Sequence, residues 1–384
     1  MRLVSQCRVK LAVLAICSLM LISEGAILQV ASAGSGSNSS TEEARILDPT
    51  DPSASLQREG MGIIWTQRIP DSDQGHGLRA VYPVSDMVML ETTRANVFAI
   101  DVEQGTWRGG ASFRALLEEK PVAGEKYIYV LSEGQVFFMD KKTARTRMQK
   151  SFRFGAMSAP VYFQDTLLLG TGDGKLLRVD LSNATEMWRR SAGGMITRQP
   201  RMKGSMIYVV GQAGVAMAVE VGSGTMQWSW EPGESAEITS AFALGENQLY
   251  VADTLGFVHC LDAEIGIPQW RYPAGGAVRK IDVLPNSRLF VSTYGQDTIC
   301  LNVSDEPKIC WSYPHRSELV GRGKNNTLYL ATKDNLLSAV SMETGKELWR
   351  RKLPRGTHVV GSPDDSRFYV YSDSGTVLAV EELD

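Results

Sequence analysis

The sequence predicts an all-β fold of eight four-stranded antiparallel blades set radially in one ring. Three observations carry that reading. Large side chains recur at near-constant spacing, Trp65, Trp107, Met148, Trp188, Trp228, Trp270, Trp311 and Trp349, with successive intervals of 42, 41, 40, 40, 42, 41 and 38 residues. Each from Trp107 onward is preceded by two short apolar runs parted by Gly, Asp, Ser or Thr, as in "TLLLGTGDGKLLRVDLSNATEMW" ending at Trp188 and "QLYVADTLGFVHCLDAEIGIPQW" ending at Trp270. The runs are rich in β-branched and aromatic residues and show no amphipathic helical period. One globular core has no reason to space its largest side chains so evenly, whereas a string of equivalent supersecondary units does.

In chain order, Arg2, Arg8 and Lys10 precede an apolar stretch from Leu11 to Ile22, and Ala31-Ser32-Ala33 offers small residues for cleavage before Gly34. This reads as an export signal over residues 1–33, because 12 apolar residues fall short of the roughly 20 that span a bilayer. Residues 34–56, rich in Ser, Gly, Asp, Glu and Pro, read as a flexible polar linker. The propeller then runs from residue 57 to 384. Its middle strand pairs fall at 87–101, 127–140, 166–180, 206–220, 248–262, 288–302, 327–341 and 367–381. An innermost strand precedes each pair, at Pro83-Val84, Pro121-Val122 and Pro160-Val161, with Pro200-Arg201 in register at the next repeat. The fourth, outer strand carries the large anchor.

A lone four-stranded sheet has two bare faces and two raw edges; radial stacking buries the faces and shortens the edges, which is a β-propeller. The eighth repeat, "RFYVYSDSGTVLAVEELD", ends before any anchor, while Trp65 in "GIIWTQRIP" has no strands before it. The segment around Trp65 is therefore expected to dock as the outer strand of the last blade and close the ring.

Removal of residues 1–33 leaves 37 basic against 42 acidic residues, a net charge of −5. A mildly acidic chain without a basic stripe excludes nucleic acid as a partner and gives an anionic membrane nothing to attract. The histidines, His76, His259, His315 and His358, are scattered over separate repeats without metal-ligand spacing and read as single surface residues. Acid-Gly pairs such as Asp173-Gly174 are turn chemistry. The expected cofactor and metal content is none, and no catalytic motif is found. Cys260 and Cys300 occupy the same position of consecutive repeats. If residues 303–307 form a hairpin loop, Asn302 faces Lys308, Leu301 faces Ile309 and Cys300 faces Cys310, which makes Cys300 and Cys310 a candidate disulfide in an oxidising compartment and two buried thiols the alternative. The tryptophans are expected to wedge between neighbouring sheets; Trp230, two residues after Trp228, is off the register and reads as a rim residue.

The pattern G-x-L-x-x-D-x-x-T-G-x-x-x-W, best seen in "DGKLLRVDLSNATEMW" and "NLLSAVSMETGKELW", resembles the repeat of pyrroloquinoline-quinone-type propellers over residues 62–384. Within that superfamily the chain is similar to the outer-membrane assembly factors of BamB type. Those are lipoproteins with an acylated Cys directly after the apolar stretch; here Cys17 has Ile16 before it and more apolar sequence after it, a departure from that pattern. The resemblance implies a non-enzymatic, monomeric interaction scaffold, exported to the periplasm or cell envelope, whose partners are other envelope or outer-membrane proteins. The alternatives are a quinoprotein dehydrogenase, which would show a funnel of convergent acids, and a ligand-sensing ectodomain held by an uncleaved anchor. The adjacent Cys-Cys pair and extra length of the catalytic quinoproteins are absent from the sequence.

Overall fold

Runs such as Met87–Thr92 and Thr166–Gly170 are buried along their whole length, so they are apolar at every position instead of alternating, as strands covered on both faces must be. Outer strands behave differently: in Glu186–Ser191 the anchor Trp188 is buried and its immediate neighbours are exposed. The computed structural model describes residues 52–70, 77–151, 155–233, 235–295, 297–362 and 365–383; the export signal, most of the linker and His76 lie outside them.

The strands form eight four-stranded antiparallel sheets. Blade 1 runs from the strand Leu78–Val84 to Trp107–Ser112, and successive blades end at Ser151, Ser191, Trp230, Pro273, Tyr313 and Lys352. Blade 8 is built from Thr357–Gly361, Phe368–Ser372 and Thr376–Glu382, and its fourth strand is Met61–Arg68 from the start of the propeller. Trp65 there pairs with Ala379 and Arg68 with Thr376. The last strand thus finds its hydrogen-bonding partner some 300 residues earlier in sequence, and the ring closes without a covalent bond.

The end of the stretch read as a flexible linker, residues 34–56, is packed against the propeller. Ser53–Gln57 is a short helix and Leu56 is fully buried beside Met61, Leu353 and Phe368. One apolar side chain in a polar stretch is enough to pin the end of that stretch onto blade 8.

In blades 1 to 7 the third strand closes on a residue that caps the following turn. The Asp101 carboxylate accepts from the Glu103 and Gln104 amides, Asp140 from Lys142 and Thr143, and Glu220 from Gly222 and Ser223. These bonds favour the ionised form. Asp101 is held below the ordinary carboxylate range first by Arg108, Asp140 by the Thr143 amide and Glu220 by the Ser223 amide. A depressed folded pKa gives stability that is complete above the unfolded value and lost as pH falls through the folded one. Glu119 acts oppositely: burial and then the Glu118 charge raise it to about 6, so its contribution improves as pH falls through that value. The urea midpoint is therefore expected to stay level or rise slightly from pH 7 to about 5.5 and then fall below about pH 4; a steady decline beginning at pH 7 would contradict this account.

Candidate functional site

The joints between blades come first, because they fix where every loop stands. The Trp65, Trp188, Trp228 and Trp311 indoles are buried, and each Nε1 donates to a carbonyl of the next blade: Val102 at 2.9 Å, Val221 at 2.9 Å, Ala263 at 3.0 Å and Met342 at 2.9 Å. Each ring lies flat on the turn glycine of that next blade, Gly105, Gly224, Gly266 or Gly345. The repeated T-G or equivalent pair is thus the receiving half of an inter-blade lock. Trp270 faces blade 6, whose corresponding turn has no glycine, and Trp349 faces blade 8, whose third and outer strands are not joined by a turn; both indoles are only half-buried.

Two sequence-derived anchors do not wedge. Trp107 is 39% exposed and Met148 42% exposed. A β-bulge lies between third and outer strands in every blade. In blade 1 it pairs Ile100 with Trp107 and Ala99 with Gly109, so Gly109 holds the anchor position and Trp107 sits two residues early, edge-on to Phe98 at 5.8 Å. In blade 2 Met148 holds the correct register opposite Phe138 but carries no donor. Cations make the missing bonds: Arg108 donates to the Lys141 carbonyl at 3.3 Å and Lys150 to the Leu181 carbonyl at 2.7 Å. Trp230 is half-buried, its ring 5.0 Å from that of His259.

The same bulge corrects the expected cysteine register. Asn302 faces Lys308 and Leu301 faces Ile309, but Cys300 then faces Trp311, and Cys310 is the extra residue of the bulge. The three cysteines among the described residues are free thiols, Cys260 and Cys300 buried and Cys310 exposed. Burial, with the neighbouring Cys310 as a second cause, pushes the Cys300 thiol up to about 12, and burial does the same to Cys260. In a thiol titration of the native chain, Cys310 is expected to react and the other two only after unfolding. Loss of two thiols in the unfolded chain would instead mean a Cys300–Cys310 bridge.

The expected surface histidines include one that is not on the surface. His259 is buried and its Nε2 lies 2.7 Å from the buried Asp253, a pair that a hairpin turn brings together. His315 touches Arg350 at 2.7 Å and His358 reaches Asp373 at 2.8 Å. Among the described residues, no group of three His, Cys, Asp or Glu is placed to hold a metal ion.

Two surfaces remain as sites. One is the central channel, a cavity of ≈ 820 Å³ whose walls come from the inner strands and adjoining loops of seven blades. Lys120, Arg201, Lys280 and Arg322 line it, with Asp282 and Glu246 as its acids. Asp282 pairs with Lys280 at 3.1 Å, and burial raises its carboxyl above the ordinary range. At the neighbouring rim, burial opposes ionisation of Glu318, but its hydrogen bond from Arg279 prevails and lowers it.

The second surface is the face where inter-blade loops meet the hairpin turns between second and third strands. Backbone bonds tie the two sets together: Met157 to Gly170 at 2.9 Å, Ile196 to Thr171 at 3.2 Å and Gln212 to Met195 at 2.9 Å. Here large apolar side chains point outward, Leu116 (39% exposed), Met157 (43%), Met195 (43%), Leu255 (60%) and Tyr294 (59%). Sequence reading missed them because they lie in short loops of separate repeats, Leu116 and Met195 directly beside the buried Leu117 and Ile196; only the ring gathers them on one side.

The family model described as "Outer membrane protein assembly factor BamB" matches residues 145–243, 256–356 and 333–384. A protein of that description from Legionella pneumophila (strain Paris) is 25% identical over 226 residues, 57% of this chain and 49% of the relative. The chain thus spans about half the length of that relative. Among solved structures, BamB from Moraxella catarrhalis superposes with a TM-score of 0.67 at 14% identity, covering 84% of this chain and 97% of the other. The quinohemoprotein alcohol dehydrogenase from Comamonas testosteroni gives a TM-score of 0.60 at 14% identity, with coverage of 87% and 78%. At these identities the structural likenesses establish the fold alone.

Proposed function

This chain belongs to the outer membrane protein assembly factor BamB family, and from that premise we propose that it is a non-catalytic scaffold of the cell envelope that holds an outer-membrane assembly protein on its loop face. The observation that carries the reading is the set of outward-pointing apolar side chains on loops braced by backbone bonds, Leu116, Met157, Met195, Leu255 and Tyr294. Isolated exposed apolar residues are ordinary, but several on one face of a rigid frame are what a partner-binding surface needs. The channel lining supports a scaffold over a quinoprotein dehydrogenase, since its cations outnumber its acids and Asp282 is already paired with Lys280.

On this reading residues 1–33 are removed on export and the chain works in the periplasm. No helix among the described residues is long and apolar enough to cross a membrane. The test is co-purification from the native envelope, scored for an outer-membrane β-barrel assembly protein. Wild type is expected to recover it, and Met157→Glu with Met195→Glu to recover at least tenfold less while keeping the wild-type Tm. Equal recovery by both, or none by wild type, would refute the loop face as the docking surface.

A further inference from the structure

The mature chain is acidic overall, yet the hole through its middle is basic. Lys120 precedes the inner strand of blade 2, Arg201 begins that of blade 4, Lys280 lies on that of blade 6 and Arg322 ends that of blade 7. Of these four, Lys280 makes a close ion pair, with Asp282, and the Asp282 carboxylate also feels the charge of Arg201 without a direct contact. Among the described residues, the Lys120 ammonium and the Arg201 and Arg322 guanidiniums make no hydrogen bond or ion pair.

Arg201 also disturbs Lys120. Burial, and then the charge of Arg201, lowers the Lys120 pKa, so the protein holds like charges together in a partly desolvated space. Such crowding costs stability unless an anion relieves it. Arg198 extends the cationic wall, its guanidinium reaching across to the Arg279 carbonyl at 3.3 Å. The cavity's ≈ 820 Å³ falls in the range of small-molecule sites, about 300–1,000 Å³.

We propose that the central channel is a binding site for a small polyanion carrying two or more carboxylate or phosphate groups, seated between Lys120, Arg201 and Arg322. Guanidiniums pair with either group through parallel N–H bonds, and Lys120 adds a point charge beside them. This assignment is independent of the docking face, whose apolar residues lie on the outer loops.

The test uses the full exported chain and two probes, citrate for carboxylates and pyrophosphate for phosphates, titrated by calorimetry at low salt and again at 0.5 M NaCl. At least one probe is expected to bind one to one, more weakly at high salt because screening weakens the attraction, and to raise the Tm. Lys120→Gln with Arg201→Gln is expected to weaken binding at least tenfold and to abolish the rise in Tm. Its own Tm without anion should stay within a few degrees of wild type, since the Lys120–Arg201 repulsion is removed along with the attraction of Arg201 to Asp282, which Lys280 already pairs, and no hydrogen bond is lost. Lys142→Gln, on an outer turn, should bind as wild type does. Which probe binds identifies the chemistry. Failure of both probes to bind wild type at millimolar concentration in low salt, or undiminished binding by the double variant, would overturn the proposal.

Discussion

Trp65→Ala is expected to cost about 3–5 kcal/mol of stability, the range for emptying a large aromatic site, and to lower the Tm by about 10 °C. Trp65 is 7% exposed. It stands on the strand that closes the ring and ties that strand to blade 1, donating to Val102 at 2.9 Å and covering Gly105. Gln67 adds a bond to the Gly105 carbonyl at 2.7 Å, and Arg367 reaches both Val102 and Glu103. As at the other joints, the chain runs on from this outer strand into the next blade; what is entirely non-covalent is the pairing of the Trp65 strand with Thr376–Glu382, and the Trp65 indole fixes that closing strand to blade 1. Trp107→Ala is the control, because that ring is 39% exposed and off the anchor position; about 1 kcal/mol is expected. Equal losses in the two variants, measured by thermal and urea unfolding, would refute the seam as the weak point. Deletion through Arg68 should go further and leave the strand Thr376–Glu382 as a raw edge prone to association.

Gly224→Val is expected to cost about 3 kcal/mol or more, from a β-branched residue forced into left-handed backbone and from overpacking. Gly224 has φ +69°, and a Cβ there would stand 2.6 Å from the Trp188 ring. The ring is fixed by its own bond to Val221, so it cannot move aside without losing that donor's partner. The corresponding turn of blade 3 carries Ala184 at φ 60°, facing Met148 instead of an indole. Ala184→Gly should therefore change stability by less than about 1 kcal/mol, in the stabilising direction. Urea midpoints decide it: a Gly224→Val variant within 1 kcal/mol of wild type would mean that the flat contact of indole on turn contributes little.

The blade count, the middle hairpins and the closing strand were all legible, because each rests on periodicity that a chain cannot conceal: runs buried on both faces, and one large side chain in each repeat. Two features were not. A bulge adds a residue without leaving a mark in composition, so counting back from the 303–307 loop puts Cys310 opposite Cys300 when the ladder puts Trp311 there. Trp107 was misplaced for a related reason. Residues two apart on a strand share a face, and a spacing of 41 or 42 does not distinguish the anchor position from the one two before it. The channel was illegible in another way. Lys120 and Arg201 are 81 residues apart, in stretches without a shared motif, and only closure of the ring brings them within range of each other's charge. The Asp253–His259 pair had a signal that went unused, since a hairpin register through Val251 and His259 already brings the two side chains to one end of the turn.

The seam in blade 8 has a topological consequence. Since Met61–Arg68 completes a sheet whose other strands end the propeller, the chain's entry and exit lie in neighbouring strands, and no blade has intrinsic priority over another. Joining those ends with a short peptide and reopening the chain elsewhere would produce a circular permutant with the same eight sheets. The natural place to cut is the 303–307 loop of blade 6, where no indole rests on a turn glycine. Which blade the ribosome makes first is then a matter of ancestry and export, decoupled from the architecture that the finished ring adopts.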